Sequence, residues 1–319
     1  MRPKIICTSP TFGKYSLKAV EMLENEGYEL VRIPMENAKN PAKLIHYVQD
    51  AQGWIVGFSK VTREVLENAP MLKIATKHGT GTDNFDLDAA KEKNVIIANA
   101  PGLNANAVSD LAFSFILALA RKIPYSDKFV RSGKWQPVMG VELKGKTLGV
   151  IGMGAIGKGL IKKASSFDMK FVAFDIQKDE EFVEKYNVRM VSDYQEVLKE
   201  ADFTSLHVPL NEKTRGMVST QEFAMMKNTA YIINCARGGV IDEAALLNSL
   251  NNGEIAGAAL DVFASEPPSV DSPLLALDNV IVAPHMGAYT EEAMAEISEV
   301  CAENVIRVFN GQEPLYRVI

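Results

Sequence analysis

Cysteine is scarce in this sequence: Cys7, Cys235 and Cys301 are scattered and odd in number, with no CxxC pair. That distribution argues against both a disulfide framework and a zinc site, and it suits a reducing cytoplasm. Positive charge is not in excess either. The formal net charge is −6, and an acidic surface has no general attraction for a polyphosphate backbone, so no nucleic-acid partner is expected. Long hydrophobic runs are missing. The longest, Leu111 to Ala120, falls far short of the ~20 residues that span a bilayer, so no membrane partner is expected. Met1 to Cys7 runs straight into an apolar, strand-like stretch. Without the charged-then-apolar layout of a secretory signal, a cytoplasmic location is expected. Histidine is also rare, at 4 in 319 residues.

What is present reads as folded. Hydrophobic residues make up 47% and charged ones 23% of a chain long enough for two domains. Short β-branched runs alternate with amphipathic, helix-length segments. Strands are predicted at 5–7, 54–56, 72–75 and 95–98, with helices at 15–26 and 86–93. The strand pattern resumes at 148–151, 171–174, 203–208, 230–234, 257–262 and 280–283. Such alternation implies an α/β fold with parallel sheets covered by helices on both faces. The turn Asn99-Ala100-Pro101-Gly102 is a candidate boundary. After it, the helix from Ala107 to Arg121 carries an apolar stripe of Val108, Leu111, Ala112, Phe115 and Leu119. Phe113, Ile116, Leu117 and Ala120 make its other face apolar too. A helix apolar all round is expected to be buried all round, in a core between domains or against a second subunit.

Gly152, Gly154 and Gly157 form GxGxxG between a predicted strand (148–151) and a predicted helix (155–167). In the dinucleotide fingerprint the first glycine permits the tight turn, the second lets the backbone approach the pyrophosphate, and the third lets helix and strand pack closely. The helix start then offers N–H groups and its positive dipole end to the phosphates. Asp175 ends the next strand 23 residues after Gly152, where an acidic residue accepts hydrogen bonds from the adenosine ribose and repels the extra phosphate of NADP. NAD is therefore the expected cofactor. Nearby Lys178 keeps NADP as an alternative, and FAD or S-adenosylmethionine are others.

Hydroxy-acid oxidation with NAD needs a cation for the substrate carboxylate, a general acid/base, and a group that orients that base. Arg237, Glu266 and His285 each follow a predicted strand, where doubly wound sheets place their ligands. A guanidinium grips a carboxylate bidentately. A carboxylate beside an imidazole fixes its tautomer and favours its protonated form.

Several stretches combine into a wider pattern: Gly79 to Asp86, Asn99 to Gly102 with Asn104-Ala105, Ile151 to Gly157, and His207-Val208-Pro209-Leu210. To these add Asn234 to Glu243, Leu260 to Phe263 with Glu266-Pro267, and Pro284-His285 with Gly287. In them the chain resembles the D-2-hydroxyacid dehydrogenases, most closely their phosphoglycerate dehydrogenase branch, from about Lys73 onward. The resemblance implies a Rossmann-type NAD-binding domain, residues 100–287, inserted in a flavodoxin-like substrate domain built from 1–99 and 288–319, with the active site in the cleft. It implies reversible conversion of a D-2-hydroxy acid, 3-phosphoglycerate or a related small acid, to its 2-oxo acid. Arg237, Glu266 and His285 become the catalytic set. Thr80, Val108, Gly152, Gly154, Ala155, Ile156, Gly157, Asp175, His207, Val208, Pro209, Thr214, Cys235, Ala236, Asp261 and Gly287 fall where members meet NAD. Lys77, His78, Gly79 and Gly81, with Arg237, fall on the substrate side, where members hold the carboxylate through backbone N–H groups. No metal is implied. A homodimer through the NAD domain is implied, with the helix from Ala107 to Arg121 at the interface.

The chain stops at Ile319, so the C-terminal regulatory extensions of some phosphoglycerate dehydrogenases, and serine feedback through them, are not expected. Lys77-His78 is an unusual prelude to the substrate loop and reads either as a site for a second anionic group or as a solvated basic pair. Glu266 argues against the formate-oxidising relatives, which carry glutamine there. Two alternatives remain: an NAD-sensing corepressor on the same fold, and an oxidoreductase acting on an oxyanion such as phosphite.

Overall fold

Twelve strands among the described residues form two separate parallel sheets in the computed structural model, which describes residues 2–319. The chain divides into two compact units, Met1–Asn104 with Ala288–Ile319, and Ala105–Gly287.

The first unit holds β1 (Lys4–Cys7), β2 (Glu29–Arg32), β3 (Gly53–Val56), β4 (Ile74–Lys77) and β5 (Ile96–Ala98), in the order β2-β1-β3-β4-β5. All pairs are parallel, the flavodoxin-like order. β3 is buried along its whole length and so reads as an unbroken apolar run, as a strand covered on both faces should. β2 is an edge strand whose Glu29 and Arg32 are exposed, and that polar composition hid it from a search for apolar runs. β4 starts at Ile74, two residues later than expected, because the Leu72 N–H donates to the Ala69 carbonyl at 3.1 Å and closes a turn. The last helix, Glu291–Phe309, is capped by the Thr290 hydroxyl, which accepts the Ala293 N–H. Its Ile297, Cys301 and Val305 are fully buried with Ile5, Ile55 and Ile74 in one cluster. Each aliphatic side chain so buried contributes ~1.5–3 kcal/mol, so this helix is part of the first unit's core.

The second unit holds β6 (Thr147–Ile151), β7 (Lys170–Phe174), β8 (Val188–Met190), β9 (Phe203–Leu206), β10 (Tyr231–Asn234), β11 (Gly257–Leu260) and β12 (Val280–Val282). Their order is β12-β11-β10-β9-β6-β7-β8, the Rossmann arrangement with one added strand. The order reverses between β6 and β9, so the carboxyl ends of these two strands flank the crevice where such sheets take ligands.

The helix Ala105–Arg121 corrects one expectation. Ala107, Val108, Ala112, Phe115, Ile116, Leu119 and Ala120 are buried, and the helix packs on Ala155–Ala164, where a Cβ on Gly159 would lie 2.8 Å from Ser109 Oγ. Leu111, Phe113 and Leu117 are only half-buried, and Asp110, Ser114 and Arg121 are exposed. Within one chain the helix is therefore not buried all round. Among the described residues no helix is long and apolar enough to cross a membrane.

Candidate active site

Each glycine of the turn after β6 has a distinct physical reason. Gly152 takes φ +100°, and a Cβ there would lie 2.5 Å from the His207 carbonyl oxygen. At Gly157 a Cβ would come within 2.2 Å of the Gly152 carbonyl oxygen, so helix Ala155–Ala164 reaches its strand only because that side chain is missing. Gly154 differs, since nothing lies within 4 Å of a Cβ built on it. Its bareness leaves room outside the fold. No side chain caps the helix it opens, and the first-turn N–H groups of Ala155, Ile156 and Gly157 have no intrahelical acceptors. A bare backbone with unpaired N–H groups at a positive dipole end fits a pyrophosphate.

Asp175 follows β7 directly. Its Oδ2 accepts the Met153 N–H at 2.5 Å and its Oδ1 the Gln177 N–H at 2.8 Å, which fixes the carboxylate beside the glycine turn. Lys178, exposed, pairs with exposed Glu180 at 2.7 Å. After β9, His207 places Nε2 2.9 Å from Ser205 Oγ, and its buried Nδ1 has no partner among the described residues. Burial holds its pKa down at about 4, so the ring is neutral. Val208 is half-buried and Pro209 exposed. The Thr214 hydroxyl donates to the Pro209 carbonyl at 2.5 Å and accepts the Asn211 N–H at 2.9 Å, folding the loop upon itself.

Three loops at the carboxyl ends of β10, β11 and β12 carry Arg237, Glu266 and His285. Buried Asn234 shapes the first: its Oδ1 accepts the Ala236 N–H at 3.0 Å, and its Nδ2 donates to the Arg237 carbonyl at 2.9 Å. Arg237 Nη1 donates to the Ala236 carbonyl at 2.8 Å. A Cβ on Gly238 would sit 1.9 Å from the Phe263 carbonyl carbon, so only glycine lets the first loop press on the second. In the second loop, Glu266 Oε1 accepts the Phe263 N–H at 3.1 Å. Its Oε2 meets His285 Nδ1 at 2.7 Å, with both side chains 36% exposed. Partial burial opposes ionisation of Glu266. The His285 hydrogen bond and charge, the Phe263 N–H and the Arg237 charge together outweigh it and hold the carboxyl below its usual range.

His285 stands at φ +53°, a left-handed conformation that costs a non-glycine residue on the order of 1–3 kcal/mol. Asp261, 1% exposed, compensates. Its carbonyl accepts the His285 N–H at 2.8 Å, its Oδ1 the Met286 N–H at 2.7 Å and its Oδ2 the Gly287 N–H at 2.8 Å. Burial lifts the Asp261 carboxyl above its usual range despite those N–H groups. Gly287 is needed for this approach, as a Cβ there would lie 3.0 Å from Asp261 Oδ2 and 3.4 Å from a Val108 methyl. Burial, with Asp261 nearby, pushes the Cys235 thiol far up, which leaves it protonated.

In the first unit, Lys77 ends β4 and its Nζ donates to the Gly57 carbonyl at 2.7 Å and to Asn84 Oδ1 at 3.3 Å, 5.3 Å from the Phe58 ring centroid. His78 requires a correction: it does not offer a second cation. It is buried, with Nδ1 3.1 Å from Ser9 Oγ and Nε2 2.9 Å from Ser298 Oγ. Because the Ser298 hydroxyl donates to the Met294 carbonyl at 2.6 Å, Nε2 is the donor to Ser298 and Nδ1 accepts from Ser9. Burial first, and Lys77 second, hold the His78 pKa down to about 3. The Gly79 N–H turns back to the Lys77 carbonyl at 2.9 Å, with φ +146°. The Thr80 hydroxyl donates toward the Ala100 carbonyl and Asn104 Oδ1, each at 3.2 Å. Gly81 follows, half-exposed.

Asn234, Gly238 and Ser205 escaped the sequence reading as site residues. The first two lay inside a quoted motif, but their work is visible only once two loops from distant strands touch. Among the described residues no group of three or more His, Cys, Asp or Glu side chains could hold a metal ion.

Residues 113–287 match the family described as D-isomer specific 2-hydroxyacid dehydrogenase, NAD binding domain. The chain is 42% identical to a D-3-phosphoglycerate dehydrogenase of Methanocaldococcus jannaschii over 97% of its own length and 58% of that protein's. It thus spans little more than half of that relative. It is 39% identical to a glyoxylate reductase of Thermococcus litoralis over 98% of this chain and 96% of the other. Among solved structures it is similar to the TT0316 protein of Thermus thermophilus, with TM-score 0.90 and 32% identity over 99% of this chain and all (100%) of that one. The chain belongs to the D-isomer specific 2-hydroxyacid dehydrogenase family, and its second unit carries that family's NAD-binding domain.

Proposed function

We propose that this chain is a dehydrogenase that interconverts a D-2-hydroxy acid and its 2-oxo acid with NAD. The observation that carries the reading is the 2.7 Å hydrogen bond from His285 Nδ1 to Glu266 Oε2, on loops of the same sheet that bears the glycine turn. When bound, NAD exchanges a hydride with the carbinol carbon. His285 takes the hydroxyl proton at Nε2 during oxidation and returns it during reduction. Glu266 holds the tautomer with its proton on Nδ1 and stabilises the charged ring. Arg237 binds the substrate carboxylate through its planar guanidinium. The first unit is read as the substrate domain, with the backbone N–H groups of Thr80 and Gly81 assigned to substrate recognition, since that of Gly79 is taken by the Lys77 carbonyl. Asp175 is assigned to the adenosine ribose, and the N–H groups of Ala155 to Gly157 to the pyrophosphate.

The names of the relatives make 3-phosphoglycerate and glyoxylate the first substrates to test. A panel of these with glycerate, lactate and longer 2-hydroxy acids, followed by NADH absorbance, checks the reading. Turnover of at least one acid is expected. No turnover of any, with clear NADH binding, would overturn it in favour of an NAD-sensing binding protein.

We also propose a homodimer formed through the second unit. Its support is the half-buried apolar face of helix Ala105–Arg121, together with Trp135 and Met139, which are 85% and 84% exposed in the single chain. An apolar helix face with large exposed apolar side chains on the same unit is the kind of patch that marks an interaction surface. Light scattering should return twice the chain mass, and a monomer at micromolar concentration would refute the proposal. The three cysteines are unpaired and buried, which fits the cytoplasmic location proposed for the protein.

A further inference from the structure

Glu243 opens the helix Glu243–Asn251. An acidic residue there ordinarily serves the helix dipole, but the first N–H groups of this helix are capped by its neighbour. Asp242 Oδ1 accepts from Ala244 at 3.0 Å and from Ala245 at 3.1 Å. Glu243 instead reaches the loop after β11, where its Oε1 accepts the Ala264 N–H at 2.6 Å. The preceding N–H, that of Phe263, donates to Glu266 Oε1. Two consecutive backbone N–H groups are thus held by two carboxylates, one of which meets His285.

The loop has few other restraints. Ala264, Ser265, Glu266 and Pro267 are all exposed, and the close approach of Gly238 fixes it only at Phe263 and Ala264. Glu266 must satisfy the Phe263 N–H with one oxygen and His285 with the other. The chain runs from Phe263 to Glu266 through the 263–264 peptide, whose N–H Glu243 holds, so a turn about the bonds flanking that peptide would carry Glu266 off one partner or the other. We propose that Glu243 is a positioning residue for the Glu266–His285 pair, holding that peptide so that Glu266 stands in line with Nδ1. The proposal rests on the dehydrogenase reading of the site.

The test uses the full chain with Glu243→Ala and Glu243→Gln. A neutral amide oxygen still accepts an N–H, so the glutamine variant should retain most activity. The alanine variant should lose about 10- to 100-fold in kcat with KM changed less than about threefold, the cost typical of a misplaced catalytic group. Its pH–rate profile should move in the same direction as that of Glu266→Gln, which loss of folded protein alone would not produce. Hydrogen exchange at the Phe263 and Ala264 amides reads the tether without turnover, and should quicken in the alanine variant only. If the wild-type chain turns over no hydroxy acid, the functional reading fails while the exchange experiment still decides whether Glu243 holds the loop. Unchanged exchange, or an alanine variant with wild-type kcat and pH profile, overturns the proposal.

Discussion

Glu266 Oε2 lies 2.7 Å from His285 Nδ1, which commits one imidazole nitrogen to a carboxylate; in the function proposed above, proton exchange with a substrate runs through Nε2. His285→Ala should therefore lower kcat by about 10²–10⁴-fold. NADH affinity, measured by fluorescence titration, should stay near wild type. Wild-type turnover in this variant would remove His285 as the acid/base group. Glu266→Gln should shift or narrow the pH–rate profile while leaving NADH binding near wild type, and an unchanged profile would remove Glu266 from orienting and tuning the base.

Gly154 and Gly157 belong to one motif but should fail in different ways. A methyl at Gly154 meets open space, so Gly154→Ala should keep its melting temperature while the NAD dissociation constant rises at least about tenfold, ~1.4 kcal/mol. A methyl at Gly157 meets a carbonyl oxygen at 2.2 Å. Gly157→Ala should be destabilised by about 1–3 kcal/mol, as overpacked sites are. Calorimetry and NAD titration on both variants separate the two effects.

Gly238→Ala should be the more damaging packing variant, because its Cβ would meet three backbone atoms of the 263–264 peptide at 1.9, 2.1 and 2.3 Å, where that of Gly157 meets one backbone oxygen at 2.2 Å. Backbone cannot rotate away as a side-chain tip can, so a loss above about 3 kcal/mol, or failure to fold, is expected. Normal stability in this variant would mean that the loops after β10 and β11 are not pressed together.

Two histidines give the fold an acid limit, His78 buried and His207 half-buried with its Nδ1 enclosed. An unfolded histidine titrates near 6.5, whereas His78 and His207 accept a proton only at about 3 and about 4. Between those limits the unfolded chain holds more protons than the folded one, so stability falls as pH drops below about 6.5. The slope approaches ~1.4 kcal/mol per pH unit for each ring and levels off below the folded pKa values. Denaturant unfolding at pH 7 and pH 5 should show the loss. His78→Gln, which cannot titrate, should flatten the slope by about one ring's share, and an unchanged slope would mean His78 is protonated in the fold.

Much of this was legible in the sequence, for reasons particular to each part. The buried central strands announced themselves because parallel strands covered on both faces are uninterrupted apolar runs, as in β3 and β6. The edge strands β2 and β8 did not, since an edge tolerates charge at Glu29, Arg32 and Arg189. Glycine spacing marked the nucleotide turn because each glycine answers a steric demand local to a strand-turn-helix. The pairing of Glu266 with His285, 19 residues apart, was an expectation from residue type that only the folded loops could supply with a distance. His78 misled because a histidine beside a lysine looks basic, and only the enclosing Ser9 and Ser298 reveal a neutral ring. Glu243 was invisible as a contributor, because its partner is a backbone N–H and backbone groups leave no trace in sequence.

The packing of helix Glu291–Phe309 on β1, β3 and β4 sets an order of assembly. On the ribosome, the first five strands emerge early but lack the side chains of Ile297, Cys301 and Val305 that complete their core. The whole of Ala105–Gly287 is synthesised before those residues appear, and every strand of its sheet lies within that span. The later-made unit thus has all its strands synthesised first, whereas one face of the earlier-made sheet, covered in part by Phe12, Ala19 and Leu23, is completed only when Ile297, Cys301 and Val305 arrive.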